Sequence, residues 1–373
     1  MSYPTTAHTL LDHIEANLRG VRARVGDRQV LAAVKANAYG HGAAAVAAMI
    51  EQRQAADWLG VATVDEGRQL RRAGIGLPIL KLSPTRGLDE VGRALISALT
   101  LTVVDEASVE ETSRVAEQVG LTGVSVHLKV DTGMRRVGIE PAAAPALAAR
   151  IASDPHLHLQ GLFSHLPISD TPDGVDFTRA QTELFRTTIA AVEDAAGRVE
   201  IKHLANSGAV LGHPDTWLDL VRPGIMIYGS LPDPQAERSV ELRPGLALTT
   251  EISFVKPVAA GETVSYGRTW TAPRDTCIAT IPVGYGDGYS RLLSNRGRVL
   301  IDGMSYPIVG RVCMDQTMID LGPEPNVGVG DGVVLIGRSG DQEITVAEVA
   351  ELMGTIPYEV TCLITGRVTR DYR

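Results

Sequence analysis

The chain reads as an α/β protein, an N-terminal (β/α)8 TIM-type barrel followed by a mainly β C-terminal domain, on three observations. From about residue 29 to residue 229, short apolar runs alternate with longer segments of helical spacing. Eight such runs fit into this stretch, which favours a closed barrel over an open doubly wound sheet. After Gly229 the texture changes to short runs rich in Val, Ile and Thr, divided by Gly, Pro and Asp turns.

The strand candidates are, in order, QVLAAVKA, WLGVATV, PILKLS, LTLTVVD, VSVHLKVDT, LQGLFSHL, EIKHLANSG and LVRPGIMIYG. Their near-continuous apolar character is that of parallel strands covered by helices. Between them, VDEGRQLRRAG and AQTELFRTTIAAVEDAAG carry apolar residues at helical spacing and end on glycine. Beyond the barrel, TTEISFVKPVAAGETVSYG, DTCIATIPVGYGDGY, GRVLIDGMSYPIVGRVCMDQTMIDLG and DGVVLIG read as strands, with one helix in TVAEVAELMG. The turn-rich stretch GSLPDPQAERSVELRPG holds the boundary, which divides the chain into a barrel over 1–235 and a β domain over 236–373.

Composition narrows the function classes. The 373 residues are 44% hydrophobic and 21% charged, enough apolar material for a sizeable core. A formal charge of −9, with no basic run, argues against nucleic acid as a partner. No basic segment followed by an apolar one opens the chain, and no apolar stretch is long enough to span a bilayer, so neither secretion nor a membrane is expected. The three cysteines have no metal-ligand spacing and read as thiols of a reducing cytoplasm.

In VLAAVKANAYGHG, Lys35 follows five apolar residues at the end of the first barrel strand. A lysine there either snorkels to solvent or is kept for covalent chemistry, because an unpaired buried ammonium is costly. In a barrel the active site lies at the C-terminal strand ends. Polar residues collect there: Lys35 and Tyr39, Lys129 with Asp131, His165, His203 with Asn206 and Ser207, and Arg222. The chain shows no zinc spacing, nucleophile elbow or phosphate loop, which turns attention to cofactor chemistry.

VLAAVKANAYGHG resembles the pyridoxal-phosphate attachment motif of the alanine racemase family. HLKVDTGMRRVG, HLANSGA, VRPGIMIYG, VSYGRTW, IPVGYGDGY, GRVCMDQ and PYEVTC resemble the family's other blocks, in the family's order. The resemblance implies pyridoxal 5′-phosphate as cofactor, with Lys35 as its imine anchor and the base on one face of the substrate Cα. It implies Tyr266 as acid/base on the opposite face, since one base would return the proton to the side it left. Arg222 matches the arginine set against the pyridine nitrogen, His165 would lie against the ring, and His203 would hydrogen-bond near Arg222. Tyr39, Ser207, Tyr358 and the backbone of Gly224 and Ile225 match a phosphate cradle. Arg136 matches the arginine for the ring hydroxyl and the substrate carboxylate, with Arg135 an unusual neighbour. Lys129 matches a lysine that is either carbamylated or salt-bridged. Met314 and Asp315 match residues of the partner's pocket, and Tyr285 one at the substrate entrance.

The implied activity is interconversion of L- and D-alanine by a two-base mechanism, supplying D-alanine for peptidoglycan, in a homodimer with shared active sites. A racemase of broader specificity, acting on serine or a basic amino acid, is the nearest alternative. A barrel-fold decarboxylase would place a carboxylate where Arg222 stands, and a non-catalytic carrier of the cofactor would lack the second domain. Three segments depart from the family pattern. TTAHTLLDHIEANL lacks the usual opening strand signature, HLPISDTPDG places Leu166 and Pro167 after His165, and LITGRVTR lacks a tyrosine and a proline.

Overall fold

The computed structural model describes residues 4–373. Its first strand, β1 (Thr6–Thr9), is followed by eight parallel strands: β2 (Gln29–Ala33), β3 (Trp58–Val61), β4 (Ile79–Pro84), β5 (Thr100–Val103), β6 (Val124–Lys129), β7 (Leu157–Phe163), β8 (Ile201–His203) and β9 (Leu220–Val221). Each coincides with one of the eight apolar runs. They pair in the order β8-β7-β6-β5-β4-β3-β2-β9. The seam between β8 and β9 forms no ladder, but it is bridged where Asp219 N–H donates to Lys202 O (3.0 Å) and Arg222 N–H to Ala205 O (2.9 Å). The barrel is therefore nearly closed.

Strand periodicity divides the apolar residues between two cores. Leu31, Trp58, Leu80, Ile201 and Leu220 form one cluster, the plug inside the barrel. Their strand neighbours Ala32, Leu59, Ile79 and Val221 belong to the larger cluster between sheet and helices. Gly60 and Gly161 lack side chains because a Cβ at either would stand 2.5 Å from an inward neighbour, the Leu31 side chain or the His127 ring.

Residues 230–245 carry neither helix nor strand and lead to the second unit. Its main sheet is centred on the strand Leu246–Glu251, which pairs antiparallel with Gly332–Ser339 on one side and with β1 on the other. A division by sequence position assigns Thr6–Thr9 to the barrel; its hydrogen bonds put it in this second sheet instead, parallel to the final strand Thr369–Tyr372. The strand forms without an apolar signature because both neighbours supply a ladder, while Ala7 and Thr9 alternate inward and are fully buried. The helix in TVAEVAELMG spans Val346–Met353, and a second, Pro357–Cys362, lies in a segment that the sequence pattern does not mark as helical.

Asn17, on the first barrel helix (Leu11–Val25), ties that helix to the connecting segment. Fully buried, its amide donates to Ile227 O (3.0 Å) and Arg243 O (2.8 Å), and its carbonyl accepts from Arg243 N–H (2.8 Å). Asn17→Leu keeps the branched shape of the side chain but strands three backbone groups. It should destabilise the protein by about 3 kcal/mol, read as a lower urea midpoint at unchanged slope.

Candidate active site

The inward parity that builds the plug continues past the strand ends. On β2, Leu31 and Ala33 face inward and Lys35 follows in phase. On β6 the series is His127 and Lys129, on β8 Ile201 and His203, and after β7 and β9 come His165 and Arg222. The plug closes one end of the barrel, and at the other Ala33, Lys35, Lys129, His165 and Arg222 line a cavity of about 400 Å³, which His127 and His203 do not reach. Lys35, Tyr39, Lys129, Arg136, His165, Ser207, Arg222, Gly224 and Tyr358 all line it.

Lys35 enters the cavity from an unusual backbone. Ala36, Asn37, Ala38 and Tyr39 have φ of 51°, 54°, 54° and 51°, a left-handed turn built from non-glycine residues. Such conformations cost roughly 1 kcal/mol each. Surrounding contacts hold the turn. The buried His41 ring hydrogen-bonds to Ala38 O and Tyr39 O (both 3.0 Å) and stacks on Tyr228, while Thr9 Oγ1 donates to His41 O (2.7 Å). From the β domain, Arg370 Nε donates to Gly40 O (3.1 Å), and Gly40 lies so close that a Cβ would stand 2.0 Å from Thr361 O. The turn is thus fixed jointly by barrel and β domain.

Arg222 organises the cavity wall. Its guanidinium donates to Ser164 O (2.7 Å), Leu204 O (3.0 Å) and His203 Nδ1 (3.0 Å), and approaches His165 Nδ1 at 3.4 Å. Arginine only donates, so His203 Nδ1 must be unprotonated. The His203 proton then sits on Nε2, which donates to His127 Nδ1 (2.9 Å). Burial, followed by the charge of Arg222, holds His165 and His203 well below the ordinary histidine range, so both are neutral at pH 7. Burial pulls Arg222 itself down to about 9, still cationic at neutral pH.

Two amines share this environment. Burial, reinforced by Arg222 and Arg136, pulls Lys129 down to about 8. Lys35 is lowered first by burial and then by Arg136. Phe163, one residue before the outward Ser164, is the residue that motif reading missed. It lies under Lys129 (5.3 Å) and Arg222 (5.4 Å) and stacks on His203 at 4.6 Å. Its parity with His165 was the available signal. Opposite the arginine, Ser207 Oγ accepts the Gly224 N–H (2.8 Å), and a Cβ at Gly224 would stand 2.7 Å from Tyr39 Oη. Tyr39 packs against Tyr358 at 5.8 Å. Ile225 is buried behind this corner. Arg135 turns away to pair with Glu140 (2.6 Å), leaving Arg136 as the arginine of the cavity.

Tyr266, Tyr285, Met314 and Asp315 do not line this cavity. They cluster on the β domain: Tyr285 N–H donates to Cys313 O (3.0 Å), Gly286 N–H to Met314 O (2.9 Å), and Ser265 Oγ to Arg311 O (2.7 Å). Arg367 bridges Asp315 (2.8 Å) and the buried Asp287 (3.3 Å), binding the two loops together. Tyr266 is 74% exposed and Met314 52%, unusual for apolar side chains held on so well-braced a surface.

Comparison with known proteins agrees with this geometry. The family model described as alanine racemase, N-terminal domain, matches residues 10–232, and that for the C-terminal domain matches residues 246–372. The chain is 50% identical to an alanine racemase of Cutibacterium acnes over 369 residues, 98% of each chain. It is 42% identical to one from Mycobacterium tuberculosis over 367 residues, 97% of this chain and 94% of that one. Among solved structures, alanine racemase of Clostridium difficile superposes with a TM-score of 0.94 at 34% identity, covering 100% of this chain and 96% of that one. The enzyme of a D-cycloserine-producing Streptomyces lavendulae superposes at 0.93 and 36% identity, covering 100% and 98%. With both domains matched in order and the cavity built from the same sequence blocks, the chain belongs to the alanine racemase family.

Proposed function

We propose that this protein is a cytoplasmic, pyridoxal 5′-phosphate-dependent racemase that interconverts L- and D-alanine in a homodimer with shared active sites, supplying D-alanine for peptidoglycan. The observation that carries the reading is Lys35: an amine at the barrel mouth, held down by burial and by Arg136, in the same cavity as Arg222. The cavity fits the cofactor at both ends. Arg222 offers a donor that only an unprotonated ring nitrogen can accept. The Gly224 corner, which a Cβ would fill, offers hydroxyls and backbone suited to a dianion.

When bound, the cofactor supplies an aldehyde carbon for amine capture and a conjugated ring that takes up the electron pair left on Cα. Lys35 then serves as anchor and as the base on one face, for which its lowered proton affinity suits it. Arg222, a donor only, would hold the pyridine nitrogen without a proton, which would weaken the ring as an electron sink and disfavour side reactions such as transamination. His165 would lie beside the ring, His203 fixes the orientation of Arg222, and Arg136 would hold the substrate carboxylate. Lys129, partly neutral near pH 8, is able to take up carbon dioxide as a carbamate, whose charge would orient Arg136. The exposed cluster of Tyr266, Tyr285, Met314 and Asp315 completes the partner's cavity, with Tyr266 as the base on the opposite face.

In deuterated water, the protein with L-alanine should exchange the Cα proton and yield both enantiomers. Release of carbon dioxide instead would establish a decarboxylase, and equal turnover of serine or lysine a broader racemase. Lys35→Ala should lower racemisation by roughly a thousandfold or more and remove the borohydride-stable label on the protein. Retention of a reducible linkage at another lysine would exclude Lys35 as the anchor.

Tyr266→Phe should impair Cα exchange unequally for the two enantiomers, because each base serves one face. Small, equal losses in both directions would reduce Tyr266 to a packing role.

A shared site has a further consequence. Lys35→Ala and Tyr266→Ala variants, each inactive alone, should complement when their subunits exchange. About half of randomly mixed dimers are mixed, each with one intact site, so about a quarter of full activity should return. No recovery despite demonstrated exchange would put both residues in one subunit's site.

A further inference from the structure

Glu66 makes more contacts than its place in the sequence requires. It opens the helix Val64–Arg72 in a capping box: Glu66 N–H donates to Thr63 Oγ1 (3.2 Å), and Glu66 Oε2 accepts the Thr63 N–H (3.1 Å). Capping needs only that oxygen, which also accepts the Ala62 N–H (2.7 Å). The other oxygen, Oε1, crosses to the neighbouring strand end and accepts the N–H of Ala36 at 2.6 Å. Ala36 follows Lys35 directly and is the first residue of the left-handed turn. A charge-assisted bond at that peptide opposes relaxation of the turn toward ordinary backbone angles.

The charge of Glu66 also reaches the amine. Arg136 and Arg222 act on Lys35 to disfavour its protonated form, as Lys35 in turn acts on Lys129 and His165, while Cys362 and Glu66 act in the opposite sense. Glu66 is the carboxylate in this set.

We infer that Glu66 is a positioning residue for Lys35, fixing through the Ala36 N–H the turn that presents the amine and balancing the basic groups around it. The inference rests on Lys35 being the anchor of the cofactor. Two features set it apart from helix capping: the contact lies outside the capped helix, and it ends on the residue beside the amine.

The test titrates cofactor-free protein with pyridoxal 5′-phosphate and follows borohydride trapping against pH. If the wild-type protein does not take up the cofactor at a lysine, the reading of Lys35 fails, and with it the ground for this inference. If it does, Glu66→Gln should raise the cofactor Kd roughly tenfold, the equivalent of one lost charge-assisted hydrogen bond. The trapping midpoint should move to lower pH, because removing a carboxylate disfavours the ammonium and exposes neutral amine sooner. Thr63→Ala, which breaks the cap but spares the Ala36 contact, should lower the Tm while leaving the Kd and midpoint at wild-type values. Glu66→Asp, which keeps the charge and shortens the reach, should weaken the Kd with little movement of the midpoint, and decides the matter if Glu66→Gln does not fold. Wild-type Kd and midpoint in a folded Glu66→Gln, wild-type Kd in Glu66→Asp, or the same Kd loss in Thr63→Ala, would overturn the assignment.

Discussion

A guanidinium buried at the mouth of a barrel, hydrogen-bonded to carbonyls and histidine nitrogens, is the interaction on which the rest of the site depends. Arg222 cannot shed its proton at neutral pH and cannot accept a hydrogen bond, so every group around it must adapt. Ser164 and Leu204 present backbone oxygens, His203 presents an unprotonated nitrogen, and His165 and Lys129 lose proton affinity. The site thereby gathers neutral histidines and amines of lowered proton affinity around two guanidinium groups, Arg222 and Arg136, a setting suited to proton transfer near neutral pH.

The second dependence is mechanical. The turn after Lys35 is intrinsically unfavourable, and the groups that hold it come from both ends of the chain. Thr9 lies on the first strand and Arg370 on the last, and these two strands are neighbours in the β domain's sheet. The β domain is therefore no appendage: without its sheet, the backbone that presents Lys35 loses two of its hydrogen-bonded supports. The same domain carries the exposed Tyr266 cluster on well-braced loops, so one module braces its own barrel and also holds an exposed aromatic surface in place.

The barrel was legible because parallel strands covered by helices must be apolar on both faces, and eight such runs stand out from the helical segments between them. The inward residues at the strand ends were legible for a related reason. Lys35 shares parity with Leu31, and Arg222 with Leu220, so the residue type changes from apolar to basic while the direction stays the same. Phe163 escaped notice because a phenylalanine in an apolar strand carries no chemical signal of its own. Glu66 escaped because a capping box already accounts for a glutamate at that place, and its second contact spans 30 residues. The strand Thr6–Thr9 escaped because its pairing partners lie more than two hundred residues away, and no local pattern announces them.

The sequence by itself determined the two kinds of domain, the strand-end chemistry and, through its ordered blocks, the family. These are local or additive properties, written in periodicity and residue type. Only the tertiary structure decided that Arg136 rather than Arg135 faces the cavity, that His203 carries its proton on Nε2, and that the turn after Lys35 is left-handed. It also decided that Tyr266, Tyr285 and Met314 stand apart from the cavity of their own chain. Each of these depends on which groups from distant parts of the chain arrive at the same place, and on charges and hydrogen bonds whose strength is set by burial. Neither is a property of any short stretch of residues.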